Sequence, residues 1–458
     1  MVFSSLLFLF YFMPIAFVIY YLTPKKLKNF VVLMLSLVFY CWGEVKYFPI
    51  MVVSILADFI ISNMIEKNDS KESRRKAWLV ASVIFNLGML GFFKYSGFLA
   101  ENINFLTGLS LPVINITLPL GISFYTFQTM SYTIDVYRRE VEAEKNIVNF
   151  GAFVALFPQL IAGPIVRYTD IQRELRERKT DLQQISSGVK TFIMGVGSKV
   201  LIANNIGALW SEVETMGFGG ISTPLAWLAI LAFSLQIYFD FSGYSLMAIG
   251  LGRMLGFEFP KNFDFPYISK TMTEFWRRWH MTLGSWFRSY LYIPLGGNRK
   301  GRGRTVINLL IVWFLTGLWH GASWNFVLWG LYFFVLLVLE KEFIGEFLKK
   351  SKIISRIYMI PLIIISWAIF AITDFSQMGL FFSKMFAFSG GDDWIYFIRN
   401  YGVTFIFGIL FSTPALRPVY NICERKEVLG VILYGSIFIM SVAYLVDATY
   451  NPFLYFRF

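Results

Sequence analysis

The chain has 458 residues, of which 56% are hydrophobic, 19% aromatic and only 15% charged, with a formal net charge of +12. A soluble globular chain carries about 25% charged residues, so this balance excludes a water-soluble protein and points to a polytopic helical membrane protein with repeated apolar runs of about 20 residues. An outer-membrane barrel would alternate in short segments instead, and the positive charge reads as cytoplasmic loops and not as a nucleic-acid surface.

The two cysteines, Cys41 and Cys423, are too few for a disulfide framework and read as packing residues. With only two histidines beside them, no closed metal site is expected. Residues 3–22 have no basic leader and no small-residue cleavage site, and are expected to be a retained transmembrane helix. They end at Lys25, Lys26 and Lys28, which puts that side in the cytoplasm and the amino terminus outside. Residues 31–42 and 48–65 go out and back to a second basic loop containing Lys67, Lys71, Arg74, Arg75 and Lys76. Residues 78–98 go out, 101–119 read as an external loop, and 121–137 return to Arg138 and Arg139.

Residues 150–166 are apolar, but Pro158, Gly163 and Pro164 interrupt them, so a re-entrant hairpin fits better than a full span. Non-helical backbone at membrane depth needs a protein-lined or watery cavity. Residues 170–184 predict a polar interfacial helix, 189–203 an outward span and 224–251 its return. Residues 306–319 and 324–339 predict a hairpin around His320 that returns to Lys341, Lys349 and Lys350. Residues 353–373 go out, 374–394 are external, 396–412 return to Arg417, Arg425 and Lys426, and 428–446 go out, leaving 451–458 as an external tail. The expected fold class is all-α and polytopic, with about ten or eleven spans plus re-entrant and interfacial helices, and both termini extracytoplasmic. No long linker or internal repeat divides the sequence, so 1–458 reads as a single transmembrane domain.

Both histidines fall in residues 275–324. An ionisable group in apolar surroundings is costly and usually has a use, and imidazole is the side chain best matched to moving protons near neutral pH. Counting from Arg304 at 1.5 Å per residue, a helix carries His320 roughly 24 Å inward, to a break at Gly321-Ala322-Ser323. The plain alternative is a core imidazole hydrogen-bonded between Trp319 and Trp324. His280 follows Trp276-Arg277-Arg278-Trp279, which by composition alone also suits an interfacial aromatic and arginine belt. Arg299, Lys300, Arg302 and Arg304 are either topological charge or a cytoplasmic patch for a phosphorylated donor. Asp240, inside an apolar run, needs a partner: it orients a histidine or an arginine, or it stabilises helix packing with Ser242 and Tyr244. Asp58 reads as structural.

Three blocks, Trp276-Arg277-Arg278-Trp279-His280, Tyr292-Ile293-Pro294-Leu295-Gly296-Gly297-Asn298 and Leu318-Trp319-His320-Gly321-Ala322, resemble the signature of membrane-bound O-acyltransferases. Asp240-Phe241-Ser242-Gly243-Tyr244 and residues 157–164 are similar to that family too. The likeness is strongest to its bacterial branch that acylates extracellular polymers, the alginate-acetylating and teichoic-acid D-alanylating membrane subunits. It implies a ring of helices around a central cavity, His320 as the catalytic histidine and His280 as the second active-site histidine. It further implies that Asn298, in the Gly-Gly-Asn loop, and its basic neighbours face the arriving donor. Tyr455, in the aromatic tail, is implied as an acyl relay; an aromatic interfacial anchor is the alternative.

Acyl transfer from a thioester to a hydroxyl needs a base and an oxyanion stabiliser. His320 is expected as the base and His280 as a supporting group. Arg278, an indole N–H or a backbone amide at Gly321 are the candidate oxyanion donors. The expected donor is acetyl-CoA or an acyl-phosphopantetheine carrier protein, with no tightly bound cofactor and no metal. A separate extracytoplasmic transferase is expected to place the acyl group on the polymer, because the chain shows no Gly-x-Ser-x-Gly-type nucleophile elbow. The expected location is a bacterial cytoplasmic membrane, among its lipids. D-alanyl transfer, a transporter or flippase of a polymer precursor, a scaffold for polymer export and a lipid O-acyltransferase are the alternatives.

Overall fold

The computed structural model describes residues 2–113, 116–161, 163–447 and Leu454, and every regular element among them is a helix. Eight helices are long and apolar enough to cross a membrane, and Phe8–Leu22 is a shorter apolar helix. The chain is a multi-pass, all-α membrane protein. Three of the segments expected to be spans are not among those eight: Ile122–Tyr137 has only 16 residues, and Trp324–Leu339 has 16 but continues through a π-turn at Glu340–Ile344 to Lys350. A third, Arg302–His320, opens on two arginines.

Boundaries moved where no residue stops a helix. Glu72–Thr107 runs for 36 residues through part of the expected external loop, and ends only at Gly108, whose left-handed backbone (φ 71°) closes it. Leu182–Met216 is likewise continuous, passing its polar Asn204-Asn205 pair through a π-turn at Ser198–Asn204. The interfacial helix is Tyr168–Glu177, ending short of residue 184.

Contacts divide the chain into two compact units, Met1–Phe192 with Met247–Pro260, and Ile193–Leu246 with Lys261–Phe458. In the first, Phe48–Lys67, Glu72–Thr107 and Ile122–Tyr137 pack on one another. Buried Asp58 joins two of them, accepting from Ser82 Oγ at 2.8 Å and Asn86 Nδ2 at 2.9 Å. A buried carboxylate without such donors would be strongly disfavoured, so its role is structural. The interrupted segment folds as Ile147–Ala155 and Phe157–Leu160, wholly buried from Phe150 onward. Its broken backbone is satisfied locally: Phe157 N–H donates to Ser36 Oγ, and Gln159 Nε2 donates to the Phe153 carbonyl.

In the second unit, Arg302–His320 packs along Trp324–Leu339, which in turn packs on Lys352–Ala371. The hairpin can close this tightly because Gly317 and Gly330 meet at the crossing. A Cβ on Gly317 would collide with the Phe326 carbonyl, and one on Gly330 with that of Trp313. Small residues that let helix backbones touch drive association inside a membrane.

Candidate active site

His320 is the last residue of its helix. Gly321 is fully extended, Ser323 starts the next helix, and the three-residue break leaves backbone groups outside any helical ladder. The imidazole is buried, 5% exposed, among the rings of Trp319, Trp329 and Phe370 at centroid distances of 5.1, 4.9 and 5.4 Å. Trp324 is 51% exposed, whereas Trp329, edge-on to the His320 ring, is fully buried. Asn325 holds the break in place: its Nδ2 donates to the carbonyls of Ile369 and Phe370, tying the start of one helix to the end of another.

His280 lies between two seven-residue helices, Met272–Arg278 and Met281–Phe287, with a left-handed backbone (φ 44°). It is fully buried rather than belt-like, with Phe241 edge-on at 4.7 Å and Trp319 at 5.9 Å. Trp319 therefore touches both imidazoles. Asn262 fixes the ring. Its Oδ1 accepts from Thr282 Oγ1 at 2.9 Å and Thr282 N at 3.3 Å, while its Nδ2 donates to Ser245 Oγ at 3.1 Å. With Oδ1 so identified as an acceptor, the 3.2 Å contact to His280 Nδ1 puts the proton on Nδ1. Nε2 then carries the lone pair, and no hydrogen bond from the described residues reaches it. Burial pushes the imidazolium down to about 3, so the ring is neutral at physiological pH.

Asp240 faces neither a histidine nor an arginine. Its Oδ1 pairs with Lys199 Nζ at 2.7 Å, with both side chains buried, and its Oδ2 accepts the Leu454 N–H at 2.9 Å. Asp240 also interacts electrostatically with buried Tyr244. Gly243, one turn on, makes the approach possible, since a Cβ there would meet the Gly195 carbonyl at 2.8 Å and Lys199 N at 3.1 Å. Beside this lies a cavity of about 390 Å³, lined by Trp210, Glu214, Gln236, Gly321, Ser323 and Leu454 among others. Tyr455 itself lies outside the described residues.

The remaining candidates sit apart from the imidazoles. Arg278 donates to Glu274 Oε1 at 3.0 Å and to the Asp264 carbonyl and carboxylate at 3.0 and 3.3 Å. It braces the loop carrying Asn262 and does not point at either histidine. Asn298 accepts from Tyr292 OH and from Lys341 Nζ. Buried Asn308 donates to the Gly297 carbonyl at 3.0 Å and so holds the Gly-Gly loop against the base of the His320 helix. Arg299, Lys300, Arg302 and Arg304 are all exposed, with Arg302 3.6 Å from Glu342. Sequence reasoning passed over Lys199, Asn262 and Asn308. Lys199 was the most legible of them, a lone cation within an apolar run.

A neutral buried imidazole, a second one at a broken helix end and a cavity next to it are the arrangement that proton transfer away from bulk water would require of a membrane enzyme. The profile of the MBOAT, membrane-bound O-acyltransferase, family matches residues 140–383. A probable alginate O-acetylase AlgI of Azotobacter vinelandii is 39% identical over 399 residues, covering 86% of this chain and 79% of that one. Another from Pseudomonas putida is 35% identical over 490 residues, covering all of both chains. The peptidoglycan O-acetyltransferase of Helicobacter pylori is 34% identical over 378 residues, covering 75% of this chain and 71% of its own. The chain belongs to the membrane-bound O-acyltransferase family, and it is an acyltransferase.

Proposed function

We propose that the chain carries an acetyl group from cytoplasmic acetyl-CoA across the membrane for O-acetylation of an extracellular polysaccharide or cell-wall polymer, with His320 as general base. The observation that carries this reading is the location of His320: buried in an aromatic cage at a helix end, one residue from the cavity. The similarity to alginate O-acetylases and a peptidoglycan O-acetyltransferase supports acetyl as cargo and a polymer as acceptor. The donor arrives at the exposed basic loop Arg299–Arg304, on the cytoplasmic side of a bacterial plasma membrane, and both termini lie outside.

The hydroxyl of Tyr455 is the first acceptor. An unperturbed phenol titrates near 10, so His320 removes its proton as the oxygen attacks the thioester carbonyl. The tetrahedral oxyanion collapses, the carbon–sulfur bond breaks, and the thiolate takes the proton back from the imidazolium. His280, neutral and with its Nε2 lone pair available, positions the donor by accepting a hydrogen bond from an amide N–H of its pantetheine arm. A separate extracytoplasmic transferase then moves the acetyl group from Tyr455 to the polymer.

The test is intact and peptide mass spectrometry of purified protein incubated with acetyl-CoA. An acetyl adduct on Tyr455, absent in His320→Ala and Tyr455→Phe, is the expected outcome. Acetyl-CoA left unconsumed with acceptor present would sink the acetyl reading. Activity only with an aminoacyl carrier protein would replace acetyl by D-alanine.

A further inference from the structure

The Lys199–Asp240 pair has no place in the chemistry just described, yet it is the most deeply buried ion pair among the described residues. In a low-dielectric interior such a pair is often no more stabilising than two apolar side chains of the same volume. Helix packing alone therefore does not account for it. Its partners do: one carboxylate oxygen holds Lys199, and the other holds a backbone amide 214 residues further along the chain. Lys199 sits on the Ser198–Asn204 π-turn, a rare distortion that recurs at functional sites. Gln236, four residues before Asp240 and so on the same helix face, lines the cavity. Gly321 and Ser323, following His320, line it too, and so does Leu454, which is 5% exposed.

We propose that the Lys199–Asp240 pair is the dock for the chain's own C-terminal tail, seating Leu454 in the cavity wall beside the His320 helix end. Leu454 is covalently joined to Tyr455, so Lys199 and Asp240 act as positioning residues for the relay. This consequence rests on the relay reading above; the dock itself does not. Lys199 neutralises and orients the carboxylate, and the carboxylate fixes the tail through a main-chain contact that is independent of side-chain identity at 454. A neutral residue at 240 would leave Leu454 without its anionic acceptor, and a charge-assisted hydrogen bond is roughly twice as strong as a neutral one.

Hydrogen–deuterium exchange with mass spectrometry on the full-length protein in detergent reads the dock without any acyl chemistry. In the wild type and in His320→Ala, the Leu454 amide should exchange at least about tenfold more slowly than an open amide. That protection should vanish in the double variant Lys199→Met with Asp240→Leu, which removes both charges together and leaves none buried alone. An unprotected Leu454 amide in the wild type would overturn the dock outright, as would unchanged protection in the double variant. Leu454→Pro removes the donor hydrogen while leaving the ion pair intact, so it decides the positioning role if the double variant fails to fold. Acetylation of Tyr455 should fall at least about tenfold in it. Acetylation unchanged in Leu454→Pro would overturn the positioning role. Absence of any acetyl group on Tyr455 in the wild type would sink the relay instead, and the exchange data would still judge the dock.

Discussion

Asn262 decides which nitrogen of His280 is open. Its side-chain oxygen collects the Nδ1 proton and two contacts from Thr282, and its amide is committed to Ser245. An imidazole in this setting has one defined tautomer, and burial keeps it neutral. Asn262→Ala should let the ring rotate and exchange tautomers, lowering kcat for acetyl transfer by roughly a hundredfold if His280 acts in the transition state. Asn262→Asp keeps the acceptor at Oδ1 and should recover most of the loss. Steady-state kinetics on the two variants, with melting temperature as a control, check this; equal losses in both would make Asn262 merely structural. None of this was legible locally. The sequence marked His280 through the tryptophans and arginines beside it, but its partner is 18 residues back, in a loop with no motif of its own. Asp240 was visible in the sequence as a carboxylate in need of a partner, but that partner, Lys199, lies 41 residues back on another helix and was not singled out.

Helices were far easier to read than their ends. The hairpin expected at 306–319 and 324–339 is Arg302–His320 and Trp324–Leu339, and the break between them came directly from Gly321 and Ser323. Ends failed where polarity was mistaken for a stop: Glu101 and Asn102 are polar, but helices tolerate them, and Gly108 is the residue that ends the turn. The crossing of the hairpin was not foreseen, because a glycine's value there lies in the backbone opposite it. Gly317→Ala should force that crossing open, costing roughly 1–3 kcal/mol and shifting His320 one turn above it. Gly88→Ala is the control, since a Cβ there meets nothing within 4 Å and should be neutral or slightly stabilising. Thermal unfolding together with acetyl transfer reads both. A Gly317→Ala protein as stable and active as the parent would mean the crossing does not set the position of His320.

For the molecule as a whole, the distribution of charge predicts which end of each helix meets the cytoplasm. Glu72–Thr107, at 36 residues, is about 54 Å long and exceeds a hydrocarbon core of about 30 Å, so its ends must lie on opposite sides. Exposed Arg74 and Lys76 are at one end, and the segment after Thr107 carries no charge before Glu140 except Asp135, Arg138 and Arg139 around the return. The His320 helix repeats the pattern: Arg302 and Arg304 stand at its start and the break at Gly321 at its finish. The positive-inside rule predicts that both basic ends face the cytoplasm. On the proposed reading, acetyl-CoA, which is anionic and does not cross the bilayer, would meet the exposed cationic loop Arg299–Arg304 from the cytoplasm. In a protein lacking Cys41 and Cys423, single cysteines at Ser110 and Gly390 should react with an impermeant maleimide on intact cells. Cysteines at Ser70 and Lys300 should react only after the cells are opened. Labelling of Lys300→Cys from outside would remove the donor from the basic loop and reverse the direction of transfer.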